Sequence, residues 1–312
     1  MTTSGNSEVL IDEYLSKKVL HRAEPELQVH KLGRMENIPG KNSKTARWVR
    51  YGSVAANTTP LTEKTTPSET AISTSDVEVI AAQYGQWACV SDELEDVSSF
   101  NNLDQAADIL ADSARKTIES LVIAEIDSAA AQSYANGVAN ANAITASDIL
   151  DLEDLIGAAN DQASDNLPPH SQDMYAVVLH RANLFDLMVD TTGVAFTEIM
   201  KHTNEGQKKL MKGELGSLYN LRFFVSDLMS SADNTQTPAV NVKSNYVFAY
   251  EPFGTVDIKS RGIRVMRTKR EPSDSDPLSQ RQKVGYKFWY AVKYLQASSK
   301  RAIRVRAASA RG

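Results

Sequence analysis

Cysteine is nearly missing from this chain: Cys89 stands alone among 312 residues, so no intramolecular disulfide can form. No run of eighteen apolar residues occurs, which excludes a membrane-spanning helix. The opening MTTSGNSEVLIDEY lacks the basic stretch and apolar core of a secretory signal. Catalytic punctuation is missing too. There is no Gly-x-Gly-x-x-Gly, no phosphate loop ending in Gly-Lys-Ser/Thr, no His-Glu-x-x-His and no Gly-x-Ser-x-Gly elbow. The histidines His21, His30, His170, His180 and His202 are scattered, and His180, at the end of an apolar run, reads as a hydrogen-bonded structural residue. Cys89 lies in the strand-like QWACV and reads as a buried thiol. Asp92, Glu93, Glu95 and Asp96 crowd together, but adjacent acids do not converge on one face, and negative charge suits a helix start without a metal. The sequence therefore offers no catalytic residue, no cofactor-binding residue and no metal ligand. It reads as a protein that is not an enzyme and carries no cofactor.

What is present is an ordinary soluble composition, 42% hydrophobic and 23% charged, with an uneven charge distribution. Residues 92–165 hold sixteen Asp/Glu against two Lys/Arg, whereas residues 261–312 hold fourteen Lys/Arg against three Asp/Glu. Blocks of opposite sign attract, within one subunit or between neighbours.

Periodicity supplies the elements. Residues 8–24 space Val9, Ile11, Tyr14, Leu15 and Val19 as a short amphipathic helix that Pro25 ends, followed by an irregular arm to about residue 40. Residues 44–51 (KTARWVRY), 72–80 and 84–90 read as strands. Leu103, Ala107, Leu110, Ala114, Ile118, Leu121, Ile126 and Ala129 recur every three or four residues, predicting one helix over 103–135 that Gly137 stops. A second helix is expected around Leu152 and Leu155, a buried strand over 174–179, a short helix over 183–189, and strands near 213–225 and 245–250. Helices and strands mix there without regular βαβ repeats, an α+β pattern. Near the end, Val284, Tyr286, Phe288, Tyr290, Val292 and Tyr294 alternate with Lys283, Gly285, Lys287, Trp289, Ala291 and Lys293, the period of a long strand. With 255–269 and 301–306 it predicts a three-stranded meander with one apolar and one basic face. Aromatics opposite the cations argue against base stacking, so the basic face is read as meeting acidic neighbours.

One segment does not fit a self-contained subunit. Residues 52–71 (GSVAANTTPLTEKTTPSETA) are polar, Thr-rich and broken by Pro60 and Pro67. A structureless loop of that length is uncommon in a compact domain unless it is functional. An extended two-stranded arm that finds partners on other copies explains it. Arg47, Trp48, Arg50, Tyr51, Pro60, Leu61, Glu63 and Pro67 are the candidate subunit-interface residues.

The order of parts, with the phrases KTARWVRYGSVAANTTPLTE, QYGQWACVSDELED, VVLHRANLFDLM, GELGSLYNLRFFVSD and QRQKVGYKFWYAVKYL, resembles the major capsid proteins of tailed bacteriophages with the Hong Kong 97-type fold. The resemblance implies an N-arm over 1–40, an extended loop over 41–92 and a peripheral domain with a spine helix over 93–144. An axial domain over 145–250 and peripheral strands over 251–312 complete it. It also implies many copies of the chain, as hexamers and pentamers, closing an icosahedral shell around double-stranded DNA held by weak, non-specific contact. The arm begins almost at Met1, so a separate scaffolding protein is the expectation; a portal and decoration proteins are the further partners, with no membrane. The location implied is the virion, after synthesis and assembly in the host cytoplasm. The alternatives are an encapsulin-like nanocompartment shell of the same fold and an enzyme with an unrecognised site.

Overall fold

The computed structural model describes residues 28–310 apart from 40–42, 53, 62, 65, 98–101, 172, 190–213, 227, 237, 259–262, 269–276, 279 and 297. The helix expected over 8–24 lies outside the described residues. A 3₁₀ turn, Val29–Leu32, leads into β1 (Arg34–Ile38), then β2 (Thr45–Tyr51), β3 (Thr74–Ile80) and β4 (Ala82–Ser91). Helices α1 (Asp92–Val97) and α2 (Asn102–Ala129) follow, then β5 (Ala131–Tyr134), α3 (Leu152–Ser164), β6 (Tyr175–His180) and α4 (Arg181–Val189). The rest is mostly strand: β7 (Glu214–Leu218), β8 (Leu221–Ser226), β9 (Ser231–Asp233), β10 (Asn241–Phe248), β11 (Phe253–Ile258), β12 (Arg264–Arg267), β13 (Arg281–Tyr294) and β14 (Ala302–Ala307).

Two sheets carry the fold. In the five-stranded sheet β1 lies beside β11, and β11 and β12 both flank one edge of β13 while β4 takes the other. The seven-stranded sheet runs β5-β14-β10-β6-β8-β7, with β9 on β10. Between them lies α2, 28 residues and about 42 Å long. Its stripe, Leu103, Ala107, Leu110, Ala114, Ile118, Val122 and Ile126, is buried against Val284, Tyr286, Phe288 and Tyr290 of β13 and against Tyr246 and Phe248 of β10. Each fully buried Leu or Ile there is worth about 2 kcal/mol, so this one helix ties both sheets into a single core. The opposite face of the seven-stranded sheet packs on α3 and α4 through Leu155, Leu187, Val177, Phe223, Val247 and Ile303.

Three expectations need correction. The spine helix ends at Ala129, six residues early, because Ala131–Tyr134 pairs in parallel with β14. Gly137, expected as the helix stop, lies instead in the 3₁₀ turn Ala135–Gly137, where Asn136 and Gly137 take φ of 55° and 66°. The meander does not form: β14 leaves the five-stranded sheet and inserts between β5 and β10, so residues 302–307 belong with the second sheet. Finally, the arm before residue 40 is not wholly irregular, since polar Arg34–Ile38 forms a strand by parallel pairing with β11.

Candidate subunit interface

The arm is a hairpin, β2 on β3, in register from Thr45 opposite Ile80 to Tyr51 opposite Thr74. Strand alternation gives it two faces. Ala46 and Trp48, with Val77 and Val79 behind them, turn toward Ile38, Val256, Ile258, Ala291 and Leu295 of the five-stranded sheet. Trp48, only 8% exposed, presses on the bare backbone of Gly254, where an added Cβ would lie 2.9 Å from the indole. Arg50 reinforces this root, donating from Nη1 to the Leu295 carbonyl (3.4 Å) and from Nε to Ser75 Oγ (3.1 Å). The other face is open. Arg47 pairs across the hairpin with Asp76 and Glu78, and Val49, Tyr51 and Ile80 are exposed.

The last rung is Gly52 N–H donating to the Ser73 carbonyl at 2.8 Å. Beyond it every described residue from 54 to 73 is exposed, Pro60, Leu61, Glu63 and Pro67 among them, with Leu61 at 74%. Thr59 N–H donates to Asn57 Oδ1 (3.0 Å), a local turn. Among the described residues, no backbone hydrogen bond from 54–72 reaches another element. A chain in this state keeps backbone donors and acceptors available to an edge it does not itself supply.

The structure therefore divides the expected residues. Tyr51, Pro60, Leu61, Glu63 and Pro67 lie open toward solvent, and Arg47 is exposed but spends its charge within its own hairpin. Trp48 corrects the expectation: it is buried on its own subunit and serves as the anchor of the arm. Cys89 corrects another, for it is an exposed thiol. His180 behaves as expected, its Nδ1 accepting from Ala182 N–H and its own N–H donating to Asn245 Oδ1.

The charge blocks meet inside the subunit as well. Lys293 reaches Glu125 at 3.0 Å, Lys300 reaches Asp165 at 3.1 Å, and Arg304 reaches Asp127 at 3.2 Å while donating to Ser230 and Ser244. Tyr246 donates its hydroxyl to the same Asp127, joining the end of α2 to the second sheet.

Sequence reasoning missed a further cluster, because a single acid inside an apolar helix stripe gives no motif. Glu119, 1% exposed, accepts from Val29 N–H and from Ser226 Oγ, both at 3.2 Å. Burial raises its pKa, partly opposed by those hydrogen bonds. His30 Nδ1 lies 2.9 Å from the Tyr290 hydroxyl, and burial first, then Lys31, lowers its pKa to about 4. His170 Nε2 donates to the Leu32 carbonyl at 3.1 Å. These groups clamp the turn where the N-terminal segment enters the fold.

The family model for phage capsid proteins matches residues 74–305. The capsid of Ralstonia phage GP4 shares the fold with a TM-score of 0.71 at 12% identity, covering 92% of this chain and 90% of that one. The cyanophage Pam1 capsid gives 0.64 at 13%, covering 93% and 92%. A virus-like particle from Pyrococcus furiosus gives 0.55 at 12%, covering 94% and 98%. No curated protein matches the sequence. At these identities the structures establish a shared mixed α/β fold, with few helices and many strands, while the family match spans well over half of the chain. An anchored arm whose described tip residues are open to solvent, on a fold shared with phage capsids, leads to one assignment: the chain belongs to the phage capsid protein family and is a major capsid protein, a structural subunit that assembles with its own copies into the shell of the virion.

Proposed function

We propose that the chain builds the icosahedral head of a tailed bacteriophage, as hexamers and pentamers assembled in the host cytoplasm and later filled with double-stranded DNA. The five-stranded sheet with α2 forms the peripheral domain. The seven-stranded sheet, with β14 threaded back into it, forms the axial domain that meets its copies around the symmetry axes. One observation carries this reading: a hairpin rooted on its own sheet by Trp48 ends in a stretch, 52–73, whose described residues are open to solvent. An assembly supplies the missing neighbours. A subunit with formal net charge −5 also avoids gripping packaged DNA, since tight phosphate binding needs Lys/Arg neutralisation. A scaffolding protein, a portal and decoration proteins complete the set of partners.

Purified protein, alone or with its scaffolding partner, should give closed particles tens of nanometres across in negative stain. Persistent small monomers under both conditions would argue against the proposal. The likeness to the Pyrococcus furiosus particle supports a second reading, a cellular nanocompartment shell. That reading predicts particles filled with an enzyme cargo, whose gene lies beside the shell gene. A phage head predicts DNA content, with portal and terminase genes alongside.

A further inference from the structure

The turn Val29–Leu32 joins the body of the subunit in an unusual way. Among the described residues, no backbone-to-backbone hydrogen bond ties 28–33 to another element. Side chains hold it instead. Val29, 0% exposed, and Leu32, 5% exposed, sink into the first core. The polar contacts that fix them come from Glu119, Tyr290 and His170, and the turn adds a histidine of its own, His30.

Glu119 reaches the turn from α2. Its Oε1 accepts from Val29 N–H at 3.2 Å, and the backbone N–H groups of Gln28 and His30 also bond its carboxylate. A carboxylate at the amino end of a helical turn takes up donors that have no partner within the turn. Ser226 of β8 bonds the same oxygen at 3.2 Å. Tyr290 reaches the turn from β13. Its hydroxyl lies 2.9 Å from His30 Nδ1, with the two ring centroids 5.8 Å apart. Thr255 of β11 bonds that hydroxyl as well. Tyr290 therefore donates its own proton to Nδ1, and Nδ1 accepts. At the far end His170 Nε2 donates to the Leu32 carbonyl at 3.1 Å.

A proton on Nδ1 reverses the Tyr290 contact. The ring becomes a donor there, contends with Thr255 for the Tyr290 oxygen, and carries a charge into a site shielded from water. The surrounding charges do not offset that cost. Lys31, next in the turn, repels it. Glu119 and Asp257 act on Tyr290, and neither makes an ion pair with His30. His170 stands between Arg222 and Glu251, which push it in opposite directions. In water an imidazole takes a proton near pH 6.5 without hindrance. Acid therefore favours the state in which the turn has left its seat.

We propose that the turn Val29–Leu32 is an acid-opened latch that holds the N-terminal segment to α2, with His30 as the group that takes up the proton. Gly33 is the pivot. A Cβ there would lie 2.2 Å from the Phe253 ring, so the chain can lie flat on that ring only as glycine. Beyond the pivot Arg34–Ile38 stays paired with β11, while the chain ahead of Gly33 is freed to bind elsewhere. Burial holds His30 at about 4 in the closed state against 6.5 in water, which multiplies opening about thirtyfold between pH 7.5 and pH 5. His170, lowered first by burial, adds to the effect, and Glu119, raised first by burial, subtracts from it. The latch is a property of the single chain and does not rest on the shell-forming reading.

Thiol labelling of dissociated full-length subunits tests it. With Cys89→Ser as background, Val29→Cys reports on the latch and Val122→Cys on the core beneath it, both at positions 0% exposed. A pyridyl disulfide, which reacts with thiols in acid as well as at neutral pH, is the probe, and each rate is divided by that of an unfolded cysteine peptide at the same pH. Labelling of Val29→Cys should rise roughly tenfold or more from pH 7.5 to pH 5, while Val122→Cys changes less than about threefold. Adding His30→Gln, whose amide oxygen still accepts from Tyr290, should cut the Val29→Cys rise below about threefold. Equal rises at both positions would mean general loosening and overturn the proposal, as would a rise that His30→Gln leaves intact. Where a variant fails to fold, exchange of the Val29 amide in the unaltered protein, corrected for its intrinsic pH dependence, decides. The same rise supports the latch, and no rise overturns it.

Discussion

Replacing Trp48 separates the anchoring of the arm from the folding of the subunit. The indole is buried in a small cluster with Ile38, Ala46, Ala81, Val256, Ile258, Ala291 and Leu295, distinct from the two larger cores. Truncating a buried Trp to Ala costs about 3–5 kcal/mol through lost transfer energy and the cavity left behind. Because the cluster is local, the cost falls on hairpin opening before global unfolding. A loss of about 3 kcal/mol corresponds to roughly a hundredfold rise in opening. Amide hydrogen exchange of residues 45–51 in Trp48→Ala should accelerate by about that factor, while the buried stripe of α2 exchanges as before. Trp48 Nε1 is buried without a hydrogen-bond partner. Trp48→Phe sheds that unpaired donor, worth about 1–3 kcal/mol, against a smaller ring that forfeits about 1 kcal/mol. The Phe variant should therefore keep near wild-type exchange and assemble. If Phe proved as damaging as Ala, or if Ala left the hairpin amides unchanged, the anchoring argument would fail.

The remaining predictions follow from buried charge. His30, held neutral with a folded pKa of about 4 against about 6.5 unfolded, contributes stability above pH 6.5 that is lost as pH falls toward 4. His170 acts in the same direction and Glu119, with its raised pKa, in the opposite one, so His30→Gln should flatten the loss by about 2–3 kcal/mol in urea melts at pH 7 and 4.5. Asp127→Asn leaves Arg304 and the Tyr246 hydroxyl without their charged partner and should cost about 3 kcal/mol in subunit stability, whereas a change below about 1 kcal/mol would remove this joint from the account. Ile118→Asp puts an unpaired carboxylate in the core and should abolish folding, measured as soluble yield. Leu121→Asp, at a half-buried position beside Val79, Ile80, Tyr84 and Glu125, should remain soluble at reduced stability.

Elements whose partners are local were readable from residue order. The 3.6-residue stripe from Leu103 to Ile126 and the strict alternation from Val284 to Tyr294 announced the two elements that carry the first core. The hairpin was legible because strand patterns bracket a polar, proline-broken loop. What escaped depends on distant pairing. Ala-rich residues 130–135 favour helix by propensity, yet the edge of β14 draws Ala131–Tyr134 into a sheet. The alternation of Ile303 and Val305 identified β14 as a strand without saying that β5 and β10 would enclose it. Polar Arg34–Ile38 carries no strand signal, and β11 imposes one.

The most direct test is a residue-resolution density map of the assembled shell around 52–73. The account predicts that the stretch between Pro60 and Pro67 crosses onto a sister subunit and is buried against it. A stretch folded back on the subunit that carries it, touching no sister, would contradict the account at its centre.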